Sequence, residues 1–387
     1  MARANVVFLG VAITLLGGCS EPAGTARTCS GVALDGALLM LATNLQASGL
    51  GRIDEAGCLT EIPDIALGVD PLLSSGFGGP FVCVRDQGIV REVDPDSLAL
   101  GRTWVAFGES ETTFELATGG KAGGPHNPHD ADLDAEGRLW VARYEQPGVA
   151  VIEPDGSFGG TVDLSMFADV DGLPEIEALR VVGDRVFASV QRLDRRTWKP
   201  AENGALVVID LASRSVTGSV DLGGKNPFGR MRPVPWDPSG KTVVLAMPGD
   251  FYAIDEGHAA AIVDLDTLAV TGIAEESTFD GSLAEVELAA PDEAYAIVAG
   301  TGLENATRLV RFDPSGQTEP IVLADTREGG QGGNYDYWGL AVVGRHVLLG
   351  DKAYGAPAIH IIERVTGREV GTLAPERLPP VSLLPLP

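Results

Sequence analysis

The segment His126-Asn127-Pro128-His129-Asp130 sets two of the chain's five histidines beside alternating carboxylates at Asp130, Asp132 and Asp134. Imidazole nitrogens and carboxylate oxygens together can bind a divalent cation, and one histidine can act as a general base, so His129 and Asp130 form the candidate catalytic pair. The Asp series has no glycine at its sixth position, which sets it apart from an EF-hand loop. The competing reading is that these side chains satisfy backbone groups of a turn. A second group is spaced by two: Glu175 and Glu177, Arg230 and Arg232, Glu285 and Glu287, followed by Asp336. On a strand that spacing puts both members on one side. Carboxylates facing a common channel would suit Ca²⁺ or Mg²⁺ at its mouth, making Glu175, Glu177, Glu285, Glu287 and Asp336 candidate metal ligands. Neutralisation by Arg230 and Arg232 along a water-filled wall is the alternative. A third group is cationic and aromatic: Arg192, Arg195, Arg196 and Trp198 in one stretch, Tyr335, Tyr337 and Trp338 in another, with Tyr252 between them in sequence. Arginine and aromatic side chains dominate binding hot spots, so these residues, with Arg230 and Arg232, are the ligand-binding candidates. Internal packing explains Trp338 equally well.

Other chemistry is excluded. There is no G-x-S-x-G elbow, H-E-x-x-H, phosphate loop or paired C-x-x-C. A formal charge of −26, from 28 basic and 54 acidic residues, repels phosphate backbones and rules out nucleic acid as a partner. With 44% hydrophobic and 21% charged residues the chain is too apolar for disorder, and its 50 Gly and 25 Pro exclude long helices.

The elements that must position these groups repeat along the chain. A short apolar strand ending in an acidic residue and a turn recurs at Asp54, Asp94, Glu153, Asp210, Asp264, Asp313 and Glu363, at intervals averaging about 51 residues. An apolar strand precedes each anchor (LLMLATN, FVCVRD, RLWVARY, RVFASVQ, TVVLAMP, AYAIVAG, HVLLGDK), and further strands flank most of these pairs. Four short strands per unit predict an all-β fold, a seven-bladed β-propeller of four-stranded antiparallel blades. In blade 1 the innermost strand, at 31–34, is weakly marked. Ring closure is open: blade 7 is completed by its own last strand, or the segment after Cys29 joins it. The Pro-rich residues 375–387 show no strand pattern. Strand 1–2 and 3–4 turns are short, whereas strand 2–3 and blade-crossing loops are long and varied. The long-loop face is therefore the expected binding face.

The stretch HDADLDAEGRLWVARYEQPGVAVIEPDG, residues 129–156, resembles repeats of the NHL, gluconolactonase and streptogramin-lyase propellers through Asp134, Gly137, Leu139, Trp140, Val141, Glu153, Pro154 and Gly156. VVIDLASRSVTGSVDL and AIVDLDTLAVTG look more like YVTN-type repeats. The resemblance implies the propeller fold. It also implies precedents for a histidine on one face and for a metal-centred channel, but no particular activity.

The first residues give an address. Arg3, an uncharged apolar run from Val6 to Leu16, then Gly17-Gly18-Cys19 read as a signal peptide. The small residues before Cys19 resemble the bacterial lipobox, which implies acylation of Cys19 and, with Ser20 following, an outer-membrane destination. The expected organisation is a signal peptide at 1–18, a lipidated tether at 19–28, the propeller at 29–376 and a Pro-rich tail at 377–387. Cys29, Cys58 and Cys83 permit at most one disulfide, and Cys83 reads as a buried small hydrophobe. The expectation is a membrane-anchored envelope lipoprotein whose loop-rich face binds a protein, peptide, glycan or small molecule. The alternative is a metal-dependent hydrolase or lyase using His129, Asp130, Glu177 and Glu285.

Overall fold

The second and third strands of each unit are continuous apolar runs, as a strand covered on both faces requires. Leu139–Arg143 and Gly148–Ile152 are buried at every position. The fourth strands lie at the rim, and Ser215–Asp221 alternates exposed and half-buried residues along its length. In a computed structural model these strands form seven antiparallel sheets, plus a two-stranded hairpin, Leu193–Asp194 with Lys199–Pro200, in a blade 4 loop. The structure describes residues 27–76, 79–122, 127–251, 253–300, 306–326 and 336–386. Cys19, His126, Tyr252 and Tyr335 lie outside the described residues. No helix among those described is long and apolar enough to cross a membrane.

The sheets are the blades of a seven-bladed propeller, and the core lies between neighbours rather than within any one sheet. Trp140, Val149 and Val151 of blade 3 pack on Val186, Val207 and Ile209 of blade 4. Met40, Leu59 and Leu383 of blade 1 pack on Leu348 and Ile361 of blade 7. Each such side chain contributes about 1.5–3 kcal/mol on burial. The acidic anchors are turn devices: Asp94 and Asp264 each accept two backbone N–H groups of the turn that follows. Part of the negative charge is thereby explained as turn chemistry.

Ring closure differs from the sequence expectation. Pro380–Pro385, within the tail that showed no strand pattern, is the innermost strand of blade 1 and pairs with Leu38–Thr43. Residues 31–34 form no strand. The two prolines occupy the ends of the strand, where a missing N–H is tolerated, and Val381, Ser382, Leu383 and Leu384 supply the ladder. Blade 7 ends with its own strand, Glu369–Leu373, while Arg27–Cys29 adds a fifth strand to the outer edge of blade 1. There Cys29 is disulfide-bonded to Cys58, and Cys83 is free and buried.

Candidate functional site

A propeller leaves one problem at its centre. The inner edge of every innermost strand has no neighbour, so its N–H and C=O groups need partners from elsewhere. The polar pairs at spacing two supply them. Asp130 of blade 3 accepts the Leu179 N–H of blade 4 at 2.8 Å, and Asp132 accepts the Val181 N–H at 2.8 Å. Glu177 of blade 4 accepts the Gly229 N–H of blade 5 at 2.9 Å. Glu285 of blade 6 accepts the Gly339 and Leu340 N–H groups of blade 7 at 2.7 and 3.1 Å. Ser74 of blade 2 donates to Asp130 and to the Ala131 carbonyl. Gly76 is required by this packing, because a Cβ there would fall 2.2 Å from Asp132 Oδ1.

The arginines complete the network. Arg232 donates from Nη2 to Glu285 at 2.6 Å and from Nη1 to Glu287 and to the Leu340 carbonyl. Arg230 donates from Nη2 to the Leu383 carbonyl of blade 1 at 2.8 Å. Blades 5 and 1 lie on opposite sides of the ring, so this side chain crosses the channel. Burial pushes the Glu287 carboxyl up, against the pull of Arg232.

The proposed metal ligands therefore do not gather. Among the described residues, no group of three His, Cys, Asp or Glu could hold a cation. Glu285 and Glu287 are engaged by Arg232, Glu177 by Gly229 and His129, and Glu175 by Arg195 and the Leu193 N–H. Asp336 stands apart, its backbone carbonyl accepting from Lys352 N–H and its carboxyl raised by burial and by Asp351. Donors already saturated by amides and guanidinium groups do not fit Ca²⁺ or Mg²⁺.

On the long-loop face, His129 Nδ1 lies 2.7 Å from Glu177 Oε2 and the ring stacks on Tyr144 at 4.2 Å between centroids. The His129 side chain is 7% exposed, and its Nε2 is buried without a partner among the described residues. Burial lowers its pKa despite Glu177, so the imidazole is neutral. Burial likewise pushes Asp130 up to about 6, opposed by its hydrogen bonds to Leu179, Ser74 and Ala131. The Tyr144 hydroxyl donates to Gln191 at 2.7 Å.

The expected arginine-rich binding loop is built inward. Arg195 lies between the Tyr144 and Trp198 rings, at 4.8 and 5.0 Å, and pairs with Glu145 and Glu175. Arg192 bonds the Phe167 carbonyl and Glu202, and Arg196 folds back on Asp194. Trp198 keeps a largely free face, at 58% exposed, and Arg196 beside it is exposed as well. Asn127, Glu175, Arg192 and Trp198 all have positive φ, a conformation that the surrounding bonds must hold. Tyr337 is buried against His360, and Trp338 packs edge-on to Phe228 beneath Lys352, so both serve packing between elements.

His129 and His360 are expected to titrate in opposite directions. His360 bonds Asp351 and Glu369 at 3.3 and 3.0 Å, and the Asp351 bond raises its pKa. Its protonated form stabilises the fold fully below the ordinary histidine value, about 6.5, and that contribution is lost as pH rises through the raised folded value. In an NMR titration the His360 ring signals should move above that pH and those of His129 only below it. A single shared midpoint would contradict both assignments.

The open space lies at the other end of the channel. A cavity of about 1270 Å³ opens on the short-turn face, opposite to the face expected from loop length. The ends of the innermost strands form its walls at Pro233, Leu288, Val342 and Leu384, while Arg180, Arg230 and Arg232 bring positive charge. It continues outward beneath blade 2 to Glu92 and Asp94. Sequence reasoning missed Arg180, Leu384 and this face. The long, Pro-rich first turn of blade 5, PVPWDPSG, was the available signal.

No family model matches the sequence, and no curated protein does. Solved structures match in fold. A Bacteroides uniformis ATCC 8492 protein that provisionally carries the name 6-phosphogluconolactonase aligns with TM-score 0.56 and 14% identity, over 91% of this chain and 100% of that one. A Lactobacillus plantarum protein aligns with TM-score 0.54 and 16% identity over 91% and 99%. Virginiamycin B lyase from Staphylococcus aureus aligns with TM-score 0.52 and 11% identity over 85% and 96%. The chain thus resembles lactonase- and lyase-type propellers in architecture. At these identities the likeness carries no activity.

Proposed function

We propose that the protein is an envelope lipoprotein, held to a membrane through Cys19, whose propeller binds a small organic ligand in the short-turn cavity. The single observation that carries this reading is the cavity itself: about 1270 Å³, walled by strand ends and turn prolines and bordered by four arginines and four carboxylates. Ligand sites are concave, largely apolar and set with a small number of convergent polar groups. The channel carboxylates have a sufficient structural role in satisfying strand edges, so the reading needs no catalytic group.

Val342 is half-buried and lines the cavity, and Val342→Trp puts a bulky indole at its wall on blade 7. The neutral dye Nile red should bind the native protein saturably, at one site, with enhanced fluorescence. The Trp variant should keep the native circular dichroism and lose at least ~10-fold in dye affinity, equivalent to about 1.4 kcal/mol. Equal binding by both proteins would place the site elsewhere.

A second reading rests on His129. A neutral imidazole oriented by Glu177, with a buried Nε2 unpartnered among the described residues, has the arrangement of a general base. It supports a metal-independent hydrolase or lyase on the long-loop face.

A further inference from the structure

We propose that the cavity's ligand is a carboxylate with an apolar body, and that Arg230 pairs with its head group. This rests on the reading of the cavity as the ligand site. The two channel arginines of blade 5 are not equivalent. Arg232 is matched by two carboxylates, Glu285 and Glu287. Arg230 has no carboxylate within ion-pair distance among the described residues. Its Nη2 is held by one backbone carbonyl, and its Nη1 is buried without a partner among the described residues. A guanidinium offers five N–H donors in a planar fork suited to a carboxylate, and a buried cation without a counter-ion is costly. Burial and the neighbouring Arg232 bring its pKa down to about 10, against the more distant pull of Glu287, Glu285 and Asp130.

Arg230 lines the cavity, so an anion entering from the short-turn face meets this side chain, whose buried Nη1 must turn toward the cavity to pair with it. The remaining walls select the rest of the ligand. Pro233, Pro235, Leu288, Leu384 and Leu386 offer apolar surface to a hydrocarbon or aromatic body. Glu92, Asp94, Asp237 and Glu287 also border the space, and the chain carries a charge of −26. That field disfavours a dianionic phosphate and leaves a monoanionic head as the better match.

The test is competition against bound Nile red by three probes: 4-phenylbutyrate, its neutral counterpart 4-phenylbutanol, and phenyl phosphate. With the native protein, the carboxylate should compete at least ~10-fold more strongly than the alcohol, as expected for a charge-assisted bond, and more strongly than the phosphate. Arg230→Met should keep the native circular dichroism, which reports a folded ring, and lose the preference for the acid over the alcohol, whatever its own affinity for the dye. Arg230→Lys should retain part of it. If the native protein does not bind the dye, the cavity reading fails. If it binds the dye but the acid and alcohol compete equally, or the preference survives in Arg230→Met, the carboxylate inference alone fails. Stronger competition by the phosphate would overturn the monoanion assignment.

Discussion

Deleting residues 380–387 is expected to abolish the folded ring rather than trim it. Pro380–Pro385 supplies the innermost strand of blade 1, and every residue of its partner Leu38–Thr43 is buried. Without it, the inner backbone edge of that partner would face the channel, and the ladder groups now paired to the tail would lose their partners. Leu383 is fully buried in the cluster joining blades 1 and 7, and Leu384 joins the cluster between blades 1 and 2. Two leucines at about 1.5–3 kcal/mol each, with the unpaired strand edge added, approach the total of 5–15 kcal/mol that holds a typical domain together. The truncated chain should show no cooperative urea transition and little soluble yield. Leu383→Ala, a milder lesion, should cost about 2–5 kcal/mol. A truncated protein that unfolds cooperatively within ~1 kcal/mol of the intact one would show that the ring closes elsewhere.

Glu285→Ala is expected to be the most damaging single change among the channel carboxylates. The Glu285 side chain is 11% exposed and joins three partners: the Arg232 guanidinium and the N–H groups of Gly339 and Leu340. Alanine leaves two strand-edge amides without acceptors and Arg232 with Glu287 alone. Breaking a buried pair in this way costs about 3–5 kcal/mol, and the loss should appear in urea unfolding. Glu285→Gln keeps an acceptor and should recover part of it. In a double-mutant cycle, Arg232→Met should reduce the penalty of Glu285→Ala by at least about 1 kcal/mol. The same data separate this role from metal binding. A cation ligand replaced by alanine would leave stability in EDTA unchanged or higher, because a repelling carboxylate is removed. The structural role predicts the full loss with or without chelator.

These two residues mark where the sequence is legible and where it is not. The blades were readable because an acidic turn anchor follows each buried strand, as at Asp94 and Asp264, and because paired apolar runs such as LWVAR and GVAVI can only be strands covered on both faces. The alternation of Glu285 and Glu287 was equally visible, and it does place both side chains in the channel. Their partners were not visible. A sequence displays carboxylates but not the unpaired amides of Gly339 and Leu340 opposite them, so a cation seemed the natural counterpart. The tail strand was hidden for a related reason: Pro380 and Pro385 read as breakers, and the strand that needs its pairing lies at the opposite end of the chain. Loop length misdirected the search for the cavity. The long segment carrying Arg192, Arg195 and Arg196 folds back on Glu145, Glu175, Asp194 and Glu202, whereas the short turns leave the channel open beneath them.

The proposed ligand enters from the short-turn face and stops against the arginines of blade 5. Crystals of the protein soaked in 4-phenylbutyrate test this. Difference density is expected between Pro233, Leu288 and Leu384, with the carboxylate against Arg230. Density confined to the long-loop face, beside His129 and Tyr144, with the lower cavity holding only solvent, would contradict it.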